Sequence, residues 1–180
     1  VLALSPDKTA LLSSRKGLER VRFARCVLAA GCRERTLQSL PVAGTRPAGI
    51  FTAGTVQRLM NRRGWDVGDH ILVLGTGDVG QIVARQLVQA GKSVSMLEQR
   101  DRPGGLARNR RDCLEAFHIP VLLRSTVDEV LGQGRISGVL VRNLDTGRRR
   151  EMPCDTLVTA LGLVPDRALC RGLGEPDWLA

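Results

Sequence analysis

The spacing of apolar positions changes along the chain, and each change predicts an element. Residues 71–74 form an unbroken apolar run, the pattern of a strand buried on both faces. Val79, Ile82, Val83, Leu87 and Val88 then recur at helical period, and Gly91 stands where a helix stops. Residues 94–97 predict a second strand. Leu106, Cys113, Leu114 and Phe117 form another helical stripe, and residues 119–123 predict a third strand. Three strands joined by two helices predict a parallel βαβαβ unit.

The flanks read differently. Upstream, residues 1–4, 9–12 and 18–23 alternate around turn signals, which predicts an antiparallel meander. The apolar run at 25–31 then predicts a buried strand. Residues 32–68 are punctuated by Pro41, Gly44, Pro47, Gly49 and Gly54, and read as a crossover carrying one short helix over 55–61. Downstream, strands are predicted at 126–131, 135–142 and 149–152, separated by Gly132-Gln133-Gly134 and Asp145-Thr146-Gly147. A last buried strand covers 156–162. A meander followed by a buried strand therefore occurs twice, ending once at Ala30-Gly31 and once at Leu161-Gly162.

Composition narrows the class. At 43% hydrophobic residues the chain can bury a core, and with aromatics at 3% that core must be aliphatic. The net charge of +9 comes mostly from scattered arginines. The two tight clusters, Arg108 with Arg110 and Arg111, and Arg148 with Arg149 and Arg150, lack interleaved aromatics, so no nucleic-acid partner is expected. Five widely spaced cysteines contain no C-x-x-C pair, which argues against a local dithiol or zinc knuckle and fits reduced thiols in a cytoplasmic protein. No apolar run reaches membrane-spanning length, and no membrane association is expected. The chain opens on Val in strand-like sequence, as a piece of a longer protein would.

Candidate chemistry concentrates at Gly75-Thr76-Gly77-Asp78-Val79-Gly80, which fits G-x-G-x-x-G. The motif follows a predicted strand and opens a predicted helix. In that setting the first glycine permits the turn, the second lets a pyrophosphate approach, and the third lets helix and strand pack. The helix start offers free N–H groups to phosphates. Glu98, eighteen residues beyond Gly80, ends the second strand, where an acid can accept hydrogen bonds from ribose hydroxyls. That acid favours NAD, because it would repel a 2′-phosphate. Arg100 and Arg102 could instead pair with that phosphate and allow NADP. His70 and His118 each stand beside a strand start and are expected to be structural.

The order of parts resembles the pyridine nucleotide–disulfide oxidoreductase superfamily, of which thioredoxin reductase is a compact member. VLAAGCRER is similar to the end of the first FAD-domain segment, with Ala29-Ala30-Gly31 in place of A-T-G. ILVLGTGDVG is similar to the start of the NAD(P) domain, and TALGLVPD to its end. The resemblance implies an α/β fold: a Rossmann-type NAD(P)-binding domain, a parallel βαβαβ unit plus an antiparallel meander, flanked by pieces of an FAD-binding domain. Its boundaries are expected at 1–63, 64–162 and 163–180, the last segment returning to the FAD domain. The FAD-binding glycine motif would precede residue 1, so this chain would be the middle of such an enzyme and inactive alone.

Where thioredoxin reductases carry a C-x-x-C, this chain reads Phe51-Thr52-Ala53-Gly54, so no redox dithiol is expected. The linker is similar to a thiol-free branch that includes α-subunits of sarcosine and opine oxidases. The resemblance implies hydride transfer between a nicotinamide dinucleotide and FAD, with a possible partner subunit. No catalytic acid or base and no metal ligand is identified. Gly75, Gly77, Val79 and Gly80 would cradle the phosphates, with Thr76 and Asp78 in the same turn. Glu98 and Arg100 would meet the adenosine ribose, Leu161 and Gly162 the nicotinamide half, and Ala30 and Gly31 the flavin dinucleotide. The alternative is a non-catalytic dinucleotide-binding or subunit-docking domain of a multi-subunit dehydrogenase or oxidase.

Overall fold

The computed structural model describes residues 1–171 and 173; the remainder of the expected return segment 163–180 lies outside the described residues. The chain divides into two compact units, residues 1–33 with 163–180, and residues 34–162.

The first unit opens on the expected meander. Strands β1 (Ala3–Ser5), β2 (Thr9–Ser14) and β3 (Gly17–Arg22) pair antiparallel in that order. The predicted strand at 25–31 is absent. All of these residues are exposed, Val27 at 93%. An apolar run is only compatible with a strand; it becomes one when neighbours complete its ladder, and among the described residues no strand pairs with it. Regular pairing resumes at β4 (Cys32–Glu34).

The larger unit has three layers. Its centre is a parallel sheet built from β6 (Ile50–Thr52), which follows the two-residue β5 (Ala43–Gly44), then β7 (His70–Leu74), β8 (Ser93–Leu97), β9 (Val121–Leu122) and, later in the chain, β13 (Thr156–Thr159). The spatial order is β6-β13-β7-β8-β9. Helices α1 (Ala53–Arg58) and α2 (Asp78–Gln89) follow β6 and β7. A short turn, α3 (Ala107–Asn109), continues as a wider helix over Arg110–Glu115 between β8 and β9. The antiparallel strands β10 (Ser125–Leu131), β11 (Gly138–Asn143) and β12 (Arg149–Pro153) form a second sheet, onto which β5 pairs.

The alternation of strand side chains explains the layering. On β7, Ile71 and Val73 face the cluster that contains Val83, Ala84 and Leu87 of α2. Leu72 and Leu74 face the opposite cluster, with Val127, Val130, Val139 and Val141 of the antiparallel sheet. A strand covered on both sides must be apolar throughout, which is why residues 71–74 read as one run. Helix α2 stops at Gly91, whose φ is +81°. Its buried face is Gly80, Val83, Ala84 and Leu87, whereas Val79 is 44% exposed at the first turn.

Residues 34–63 pack as part of this unit and not with the first segment, with which the sequence pattern grouped them. The physical reason is β6. It pairs parallel with β13, Leu157 opposite Ile50 through Thr159 opposite Thr52, and so anchors the crossover to the sheet. Ala53 and Val56 of α1 are fully buried in the same core. A final short strand, β14 (Leu163–Pro165), pairs with β4.

Candidate dinucleotide-binding cleft

The site is built at the carboxyl ends of β13, β7 and β8, where the sheet order changes direction. Strands β8 and β9 lie on one side of β7, and β13 and β6 on the other. Such a switch point leaves a crevice between diverging connections.

The turn after β7 is held at both sides. The Gly75 N–H donates to the Leu97 carbonyl at 2.9 Å, and the Ala160 N–H donates to the Leu74 carbonyl at 2.8 Å. Gly75 has φ +104°, and a Cβ there would lie 2.4 Å from the Ala160 carbonyl oxygen. A Cβ on Gly80 would lie 2.5 Å from the Gly75 oxygen. These two glycines therefore serve packing between turn, helix and β13. Gly77 differs. It is the N-cap of α2, with φ −64° and ψ 169°, and nothing lies within 4 Å of where its Cβ would be. Its open face, beside the free N–H groups of a twelve-residue helix, suits a phosphate.

Glu98 is 4% exposed at the end of β8. Its carboxylate accepts from the Thr76 N–H at 3.3 Å, the Thr76 hydroxyl, and the Arg100 N–H and Nε, both at 3.0 Å. Arg100 Nη2 adds a further contact at 3.3 Å. Burial pushes the Glu98 carboxyl up, but the Arg100 and Thr76 hydrogen bonds outweigh it, and the group titrates below its ordinary value. The Arg100 side chain itself is 59% exposed.

A second set of contacts fastens residues 101–106 onto the glycine turn. The Thr76 hydroxyl accepts from the Gly104 N–H at 2.8 Å. Asp78 Oδ1 accepts from the Leu106 N–H and from Asn109 Nδ2, both at 2.7 Å, and these bonds hold its carboxyl below the usual range. Gln81, fully buried, donates through Nε2 to the Thr76 carbonyl at 2.7 Å and the Gly104 carbonyl at 2.8 Å.

Gly75, Thr76, Gly77, Glu98, Arg100, Leu161 and Gly162 thus line one cleft of about 340 Å³. Asp78, Val79 and Gly80 stand in the adjoining first turn of α2 and do not line it. The side chains of Thr76 and Asp78, expected among the cofactor-binding residues of this turn, bond to the neighbouring loop. Ala30 and Gly31 belong to the other unit, where the Gly31 carbonyl accepts from the Asp166 N–H at 2.9 Å. The cleft also contains Arg35, Gln99 and Thr126, which were not among the expected ligand residues. Only the fold joins residue 35 to residue 162, through an Arg35 N–H bond to the Gly162 carbonyl at 3.0 Å.

His70 and His118 are exposed and line other depressions of this unit. Among the described residues no cluster of three His, Cys, Asp or Glu could hold a metal ion, and no helix is long and apolar enough to cross a membrane. Thr52, in the Phe51-Thr52-Ala53-Gly54 segment, caps α1, accepting from the Thr55 N–H at 3.4 Å.

Comparison with known proteins agrees with this architecture. A family model described as pyridine nucleotide-disulphide oxidoreductase matches residues 1–176. The chain is 31% identical over 165 residues to a ferredoxin–NADP reductase of Frankia alni, covering 92% of this chain and 49% of that protein. It is 30% identical over 96 residues to an opine oxidase subunit of Rhizobium meliloti, covering 53% of this chain and 20% of that protein. The chain therefore spans half or less of the length of these relatives. Thioredoxin reductase of Lactococcus lactis superposes with a TM-score of 0.76 at 19% identity, over 98% of this chain and 57% of that one. A glycine turn at the switch point of a doubly covered sheet, and a family match over nearly the whole length, lead to one conclusion: the chain belongs to the pyridine nucleotide-disulphide oxidoreductase family.

Proposed function

We propose that residues 34–162 bind a nicotinamide dinucleotide for hydride exchange with FAD in a flavin-dependent oxidoreductase that uses no redox dithiol. The observation that carries this is Gly77, a helix N-cap with open space where every other L-residue would place a Cβ, at the crevice between β7 and β13. The pyrophosphate sits on the first turn of α2, where backbone N–H groups and the helix dipole favour an anion. The adenosine ribose lies toward Glu98 and the nicotinamide half toward Leu161 and Gly162.

The preferred cofactor is NAD. Arg100 is engaged with Glu98, and a 2′-phosphate that drew Arg100 away would face an uncovered carboxylate. A ribose hydroxyl taking the place of the Arg100 contacts would instead donate to it. When bound, FAD supplies the hydride acceptor or donor. This chain's residues bind and orient the nicotinamide dinucleotide, and none acts as acid or base. Residues 1–33 and 163–171 are read as pieces of the flavin domain, with Ala30 and Gly31 facing the flavin dinucleotide. The exposed apolar run 25–31 supports this, since it has strand character without a partner. Phe51-Thr52-Ala53-Gly54 supports the absence of a dithiol, and the similarity to an opine oxidase subunit is in keeping with a partner chain.

Calorimetric titration with NADH and NADPH, wild type beside Glu98→Ala, tests the proposal. NADH binds more tightly to the wild type, and Glu98→Ala reduces that preference. Absence of binding to either nucleotide refutes the reading; a preference for NADPH refutes the choice of NAD.

A further inference from the structure

We infer that Arg35 is a dinucleotide-binding residue, contacting the phosphate of the nicotinamide half. This rests on the cleft being a nicotinamide dinucleotide site. Arg35 lines the cleft with the glycine turn, on the side formed by Ala160, Leu161 and Gly162. Its backbone and the residue before it hold it there. Its own N–H donates to the Gly162 carbonyl at 3.0 Å. The preceding residue, Glu34, accepts from the Thr52 hydroxyl and from the Gly54 N–H, the latter at 2.7 Å, and so is fixed to the start of α1.

The balance of charge gives the reason for a phosphate. Two arginines line the cleft, and Arg100 forms an ion pair with Glu98. Among the described residues Arg35 forms none, and its side chain is exposed. Within the cleft the Glu98 carboxylate is matched by Arg100, which leaves Arg35 as the uncompensated charge. A guanidinium in that condition, lining the same cleft as the turn that opens α2, is suited to a phosphate, which it meets with two parallel hydrogen bonds. Arg100 is tied to Glu98, after β8, and Arg35 to Gly162, after β13, so on this reading they address different halves of one ligand.

Fragments of the ligand separate the two ends. Affinities of wild type, Arg35→Gln and Arg35→Lys are measured by calorimetry for NADH, reduced nicotinamide mononucleotide and AMP, with thermal unfolding as the folding control. Arg35→Gln weakens NADH and the mononucleotide about tenfold or more, the scale of one charge-assisted contact, and leaves AMP unchanged. Arg35→Lys recovers part of the loss. Unchanged NADH affinity in Arg35→Gln, with wild-type binding intact, overturns the assignment and leaves the cleft standing. An equal loss for AMP overturns it too, by showing a general effect on the cleft. Failure of the wild type to bind NADH overturns the reading of the cleft as well.

Discussion

The three glycines of the turn should separate into two kinds when each is replaced by alanine. At Gly75 the added Cβ meets the Ala160 carbonyl oxygen at 2.4 Å on a backbone with φ +104°. The conformation alone costs about 1–2 kcal/mol for an L-residue, and relieving a backbone clash adds roughly 1–3 kcal/mol. A loss of about 2–5 kcal/mol follows, and in a unit of this size the melting temperature drops by roughly 8–20 °C. Gly80→Ala should be costly for the same steric reason, since its Cβ meets the Gly75 oxygen at 2.5 Å and Ala160 Cβ at 2.9 Å. Gly77→Ala is the contrast. Its φ of −64° and ψ of 169° suit any residue, and no atom lies within 4 Å of the new Cβ. The weaker N-cap is offset by reduced freedom of the unfolded chain, so stability changes by no more than about 0.5 kcal/mol. Its NADH affinity should nevertheless fall at least about tenfold, because the Cβ stands where the pyrophosphate approaches. Thermal unfolding and calorimetry on the three variants read both effects. Gly77→Ala that unfolds as early as Gly75→Ala, or that binds NADH like the wild type, would refute the division of roles.

Three further outcomes are expected. Thr76→Val removes a buried donor to Glu98 and the acceptor of the Gly104 N–H, at a cost of about 1–3 kcal/mol, and Thr76→Ser should restore most of it; equal melting of the valine and serine variants would contradict this. Glu98 titrates below its ordinary value when folded, so its stabilisation is complete above the ordinary glutamate range and drains away as pH falls through the folded value. The stability gap between wild type and Glu98→Gln should therefore narrow in acid, and a gap that stays constant between neutral pH and pH ~3 would be inconsistent with that linkage. Cys154 is buried, and that burial, helped by Asp155, pushes its thiol up to about 11, whereas Cys26 and Cys32 are exposed. Iodoacetamide near pH 8 should label Cys26 and Cys32 and spare Cys154 until the protein unfolds; mass-spectrometric labelling of Cys154 in the folded chain would refute its burial.

What the sequence displays and what it conceals follow from the range of the interactions involved. The β7–α2–β8 segment is legible because its signals are local. Strand apolarity, three glycines and a helix stop all lie within about one βαβ unit, and each constrains its own backbone. The run at 25–31 misleads for the opposite reason, since strand formation depends on neighbours that no local pattern reports. Contacts across the fold are equally silent in the sequence. Thr76 and Asp78 are only the variable positions of the motif when read along it, and the folded loop at 101–106 gives their side chains a role. The acid at 98 is visible by its distance from Gly80, but its partnership with Arg100 is not, because β8 ends at Leu97 and the pair forms across a bend whose geometry strand periodicity does not report. Arg35 is the extreme case. It lies 127 positions from Gly162, in a segment the resemblance assigned to the flavin domain, and reaches the cleft because β6 and β13 bind the crossover into the sheet. The backbone of the cleft and its acid at 98 can therefore be read from local spacing, while Arg35 arrives from a segment that becomes a neighbour only on folding.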